Sequence, residues 1–114
     1  IINKNIKIYN NFLDKNGFIH RKNKNHEKAL ECYEELYEIH KNVDADNLSH
    51  CDIALTLNNL ASVYDQKGDF NKAIEFYEKS KELYKKVYAD NPNHPDIAST
   101  LNHLALLYKK KTGF

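Results

Sequence analysis

Residues 57–77 read LNNLASVYDQKGDFNKAIEFY, and two apolar patterns meet in this stretch. Upstream of Gly68, the residues Ile53, Leu57, Leu60, Ala61 and Tyr64 recur at spacings of three and four, the signature of a helix with one buried face. Gly68 and Asp69 break that pattern. Phe70, Ala73, Ile74, Tyr77, Leu83 and Val87 then set up a second apolar face that runs to about residue 88. The cluster Asn91, Pro92, Asn93, His94, Pro95 is the next break, with Pro95 suited to a first helical position and Asp96 placed to complement a helix dipole. The unit is helix, tight turn, helix, loop.

The unit recurs. Shifting the sequence by 44 positions pairs residues 26–70 with 70–114, and 23 of those 45 pairs are identical without a gap. Asp52, Ile53, Ala54, Thr56, Leu57, Asn58, Leu60, Ala61 and Tyr64 match Asp96, Ile97, Ala98, Thr100, Leu101, Asn102, Leu104, Ala105 and Tyr108. Lys28, Ala29, Glu31, Tyr33, Glu34 and Glu38 match Lys72, Ala73, Glu75, Tyr77, Glu78 and Glu82. Five helices are predicted, over residues 6–22, 26–43, 52–67, 70–88 and 96–110. The count of only 3 Gly and 2 Pro argues against an all-β fold, because sandwiches and barrels need turn residues roughly every 8 to 12 positions.

The pattern Leu-x-x-Leu-Ala-x-x-Tyr-x-x-x-Gly-x-Phe-x-x-Ala-x-x-x-Tyr, from Leu57 to Tyr77, resembles the tetratricopeptide repeat. The resemblance implies an all-α fold, a right-handed solenoid of helical hairpins with about five antiparallel helices. It implies that Ala61 and Ala73 lie where two helices cross closely, with Leu57, Leu60, Tyr64 and Tyr77 packed around the crossing. The 44-residue period exceeds the usual 34, and the segment His94-Pro95-Asp96-Ile97-Ala98 is similar to the longer, 42–44-residue repeats of the kinesin light chain type. One domain, 1–114, is expected: a degenerate first repeat (1–47), a full repeat (48–91) and the first helix of a third (92–114). In the degenerate repeat, Leu13 and Gly17 fall on family positions, whereas Asn16 and His20 stand where Leu60 and Tyr64 stand. At the other end Thr112 replaces the turn glycine and Gly113 follows one residue late, as expected of a segment of a longer array.

At 114 residues with 41% hydrophobic and 29% charged side chains, the chain suits one small folded domain. Its net charge of +1 supplies no general attraction to nucleic acid or to a membrane surface. The charge is unevenly spread, +5 over residues 1–28, −7 over 29–82 and +3 over 83–114. No run of apolar residues is long enough to span a bilayer, and the N-terminal residues lack a signal-peptide core. Cys32 and Cys51 have no Cys-x-x-Cys spacing, so neither a disulfide framework nor a zinc site is indicated, and a reducing, cytoplasmic setting is expected.

The resemblance implies a concave groove lined by one face of each first helix. Its positions are Leu55, Asn58, Ser62, Asp65 and Gln66 in the full repeat and Ser99, Asn102, Leu106, Lys109 and Lys110 in the last, with Asn11, Asp14, Phe18, Arg21 and Lys22 from the degenerate repeat. Asn58 and Asn102 recur at one place, where an amide both donates and accepts, and either holds a peptide backbone or bonds a neighbouring helix. Asp14 stands where related chaperone-binding repeats carry an asparagine that grips a carboxylate, which argues against such a clamp. Arg21, Lys22, Lys109 and Lys110 favour an acidic peptide or serve solubility alone. The six histidines have no metal-ligand spacing; His50 and His94 are repeat equivalents at helix starts. Cys32 aligns with Phe76 as a core position, and Cys51 aligns with Pro95 at a helix N-terminus with no base beside it. Tyr33, Tyr64, Tyr77 and Tyr108 fall on packing positions, and Tyr37, Tyr84 and Tyr88 on partly exposed ones. No metal, cofactor or catalytic residue is expected.

The sequence therefore predicts a non-catalytic scaffold that binds a protein or peptide. The alternatives are self-association through a solenoid end, where Leu101, Leu104, Leu107 and Tyr108 lack a second helix, and a regulatory segment of a larger protein.

Overall fold

The computed structural model describes residues 2–43 and 48–113. Within them five helices follow one another and no strand occurs: α1 (Ile2–Lys22), α2 (His26–Val43), α3 (Leu48–Lys67), α4 (Phe70–Val87) and α5 (Pro95–Thr112). Each helix packs on its successor, which makes an all-α solenoid of helical hairpins. The expected repeat boundary at residue 47 lies outside the described residues.

Three helix limits differ from expectation by two residues or more, for local reasons. α1 starts at Ile2, because no glycine or proline stops it before residue 6. α3 starts at Leu48, a turn before the expected residue 52. In α5 the equivalent of Cys51 is Pro95, which lacks an N–H and forces the preceding residue out of helical geometry, so His94 is the N-cap and its Nδ1 accepts from the Asp96 amide at 3.0 Å. Cys51 imposes no such stop. It and His50 lie inside the first turn of α3. α5 continues to Thr112, since its glycine stands at 113, one place later than Gly68 does in the α3 turn.

The first helices α3 and α5 each turn a face toward the preceding hairpin. Leu60 and Val63 of α3 join Leu13, Leu30, Tyr33 and Leu36 in one cluster, and Leu104 and Leu107 of α5 join Ala61, Ala73, Ile74 and Tyr77 in the next. A third cluster, Ala54, Tyr84 and Ile97, closes the other end of the α3–α4–α5 junction. Ala61 and Ala73 are fully buried in the second cluster, as small residues at a close crossing must be. In the degenerate repeat the register holds: Leu13 and Gly17 face inward, and Asn16 turns its amide to the Phe12 carbonyl at 2.8 Å. A Cβ on Gly17 would stand 2.7 Å from the Tyr33 ring, so this crossing is tighter than the one at Ala61.

Burial corrects several expectations. Leu104 and Leu107 are buried, because α4 covers them; only Leu101 and Tyr108 of that set are exposed. Tyr108 is therefore not core, and Tyr64 is only half-buried. Tyr84 is buried between Ala54 and Ile97, while Cys32 is half-buried at the rim of the first cluster.

Candidate functional site

Side-chain bonds run across the groove positions of successive first helices. Arg21 Nη1 donates to Ser62 Oγ at 3.2 Å, joining α1 to α3. Asn58 Nδ2 donates to Thr100 Oγ1 at 3.4 Å and Lys110 Nζ pairs with Asp65 Oδ1 at 3.0 Å, joining α3 to α5. Thr100 has its own hydroxyl proton committed to the Asp96 carbonyl at 2.9 Å, so it accepts from Asn58.

The two recurring asparagines consequently differ. Asn58 is partly buried beside α5, and its Oδ1 is buried without a hydrogen-bond partner among the described residues. Asn102 is exposed. Arg21 Nε is likewise buried and unpaired among the described residues, while the guanidinium lies over the Phe18 ring, 5.4 Å from its centroid. Among the described residues the groove helices thus hold a free buried donor, Arg21 Nε, and two free buried acceptors, Asn58 Oδ1 and Asn10 Oδ1.

Between α1 and α3 Arg21 borders a hollow of about 500 Å³ whose walls also include Phe18, Ile19, Leu55 and Asn59. Phe18 and Leu55 stay 45% and 51% exposed, so two large apolar groups face each other across open space. A second hollow of about 240 Å³, with Asn10, Asn11, His40 and Asp52 in its walls, shares Asp14 and Leu55 with the first and extends the groove. Ser99, Leu106 and Lys109 lie exposed on α5, and Gln66 on α3, beyond the two hollows. Sequence reasoning missed Asn59 and Ile19. Asn59 has His103 as its repeat equivalent and so gave no recurring signal; Ile19 occupies a position that is buried in α3 and α5.

The tyrosines beneath the groove are held neutral. Burial, and secondarily Asp65, pushes Tyr77 up to about 12, and burial also raises Tyr33. Away from the groove, Tyr88 donates to Asp96 Oδ2 at 2.9 Å, stacks on His94 and lies 3.7 Å from Cys51 Sγ. Hydrogen bonding to Cys51 and Asp96 raises the Tyr88 hydroxyl. This corner joins the starts of α3 and α5 to the end of α4. Among the described residues no group of three or more His, Cys, Asp or Glu side chains is placed to hold a metal ion, and no helix is long and apolar enough to cross a membrane.

The tetratricopeptide repeat family model matches residues 8–86 and, in a second overlapping match, 52–113. The chain belongs to the tetratricopeptide repeat family. The first match begins inside α1 and the second inside α3. No curated protein matches the chain.

Proposed function

We propose that this tetratricopeptide repeat chain is a non-catalytic scaffold that takes an extended segment of a partner protein along the groove of α1, α3 and α5. The observation that carries this reading is the hollow between Phe18 and Leu55, wide enough for one apolar side chain and bordered by Arg21, whose Nε is unpaired among the described residues. An extended backbone supplies a carbonyl acceptor at each residue, which suits the Arg21 donor. Two of the four groove cations are engaged, Arg21 by Ser62 and Lys110 by Asp65, and Lys22 and Lys109 remain to favour an acidic residue on the ligand. The 44-residue period supports the kinesin light chain-like subtype.

Peptides selected from a displayed library should carry an apolar anchor. Phe18→Ala should weaken such a peptide about tenfold, the effect of losing roughly 1.4 kcal/mol, with the melting temperature unchanged. Selected peptides that bind Phe18→Ala and the parent chain equally would contradict the reading. Self-association is the second reading, favoured by the exposed stripe Ala98, Leu101, Ala105 and Tyr108 on α5, and concentration-dependent sedimentation tests it.

A further inference from the structure

We infer, resting on the proposed groove, that its smaller hollow of about 240 Å³ is a subsite for a basic side chain, an arginine or lysine two positions from the apolar anchor of the same partner segment. The walls come from α1, α2 and α3 together. Asp14 of α1 and Asp52 of α3 stand exposed at the rim against one cation, Lys7, over a floor that includes the buried Leu36 and Thr56. Asp65 is paired with Lys110 and Asp96 accepts from Tyr88, whereas Asp14 and Asp52 form no ion pair among the described residues. Burial pushes the His40 imidazole below its usual 6.5, with Asp52 and Asp14 opposing, so at pH 7 it is neutral and adds no positive charge. Asn10 shares the wall, and its buried, unpaired Oδ1 is within reach of an incoming N–H after rotation about χ2, which is soft for an amide.

The corresponding place in the next repeat is filled. Asn10, Asp14 and His40 have Ala54, Asn58 and Tyr84 as repeat equivalents; the larger Tyr84 is buried against Ala54 and Ile97, and Asn58 is bonded to Thr100. The opening and its charge thus come from residues that depart from the repeat. Charge also changes sign along the groove, since Lys15 and Arg21 border the larger hollow and Asp14 is common to both. A basic residue is therefore directed to the smaller one, and the acidic residue that Lys22 favours lies on the other side of the anchor. Along α1 the smaller hollow takes residues 7–14 and the larger 14–21, and along α3 they take 52–56 and 55–59. At about 1.5 Å per helical residue the two centres lie roughly 5–10 Å apart. Two residues of extended chain, at about 3.3 Å each, cover that span and project to the same side.

Displayed peptides of random sequence, selected against the 114-residue chain, are the probe. Arginine or lysine should be enriched two positions from the apolar anchor. A selected peptide should lose at least about threefold in affinity at low salt when that residue becomes glutamine. Asp14→Asn/Asp52→Asn should abolish this difference and Lys7→Gln should enlarge it, while Glu31→Gln/Glu34→Gln, the same loss of charge on α2 outside the groove, should leave it unchanged. All five side chains are exposed, so the variants should melt with the parent; if the first melts early, Lys7→Gln makes the test with the opposite sign. An apolar anchor enriched without a basic neighbour, or a glutamine penalty that survives Asp14→Asn/Asp52→Asn, overturns the subsite and leaves the groove reading standing. Basic peptides that lack an anchor yet respond to Asp14→Asn/Asp52→Asn overturn the anchor and support the subsite. Selection of no peptide overturns both.

Discussion

Helices α3 and α5 are built from nearly the same residues and live in different surroundings. Leu57 is 1% exposed and its repeat equivalent Leu101 is 46% exposed; Ala54 and Ala61 are fully buried, whereas Ala98 and Ala105 are exposed. On the opposite side the two helices agree, with Leu60 and Leu104 at 1% and 5%. The difference is α4, which closes one side of α3 and has no counterpart beyond α5 among the described residues. In a stacked array, burial follows from the neighbouring helix and not from the residue type.

The largest effect that sharpens this comparison is at the leucines. Leu57→Ala should cost about 2–5 kcal/mol, as truncation in a filled core does, and Leu101→Ala less than about 1 kcal/mol. Equal shifts in the denaturation midpoint would break the comparison. Next is Gly17→Ala. Helix propensity alone favours alanine by about 0.5–1 kcal/mol, but the 2.7 Å approach to the buried Tyr33 ring should reverse the sign and destabilise by about 1–3 kcal/mol. Ala73→Leu should show overpacking of the same size at the α3–α4 crossing.

A smaller gain is expected at the first turn. Lys24 holds φ 60 at the repeat position where Gly68 holds φ 88, so Lys24→Gly should stabilise by about 1 kcal/mol, read as a higher chemical denaturation midpoint.

The pair His40 and Tyr84, also repeat equivalents, separates the two hairpins by pH. Burial pushes Tyr84 up to about 12 from 10.0, so unfolded chains ionise first, and the stability that it contributes is complete below pH 10 and lost between about 10 and 12. Burial lowers His40 from 6.5, so its contribution is complete above pH 6.5 and falls as unfolded chains take up the proton below that value. Denaturation midpoints measured across pH should lose part of the acid limb in His40→Phe and part of the alkaline limb in Tyr84→Phe.

The hairpin order and the register of α2 to α5 were legible from a single 44-residue shift, because apolar spacing and the Gly68, Pro95 punctuation are local signals. The degenerate repeat was legible through Leu13 and Gly17, and the Gly17 position makes sense only with Tyr33 against it. Local sequence did not carry the burial of Leu104 and Leu107, which depends on α4 lying across them. The groove positions were named from the resemblance; that Asn58 is tied to Thr100 while Asn102 is exposed depends on which side of each helix has a neighbour. Ile19 entered the hollow for the same reason, since its equivalents Val63 and Leu107 are covered.

The central functional claim is that the ligand's anchor sits between α1 and α3, and two equally exposed leucines test it. Leu55 lines the hollow at 51% exposure and Leu101 lies on α5 at 46%. For a library-selected peptide, isothermal titration should show Leu55→Asp losing at least about tenfold in affinity and Leu101→Asp staying within about twofold, with both variants folded. Affinity that survives Leu55→Asp, or falls equally in both, would contradict the account.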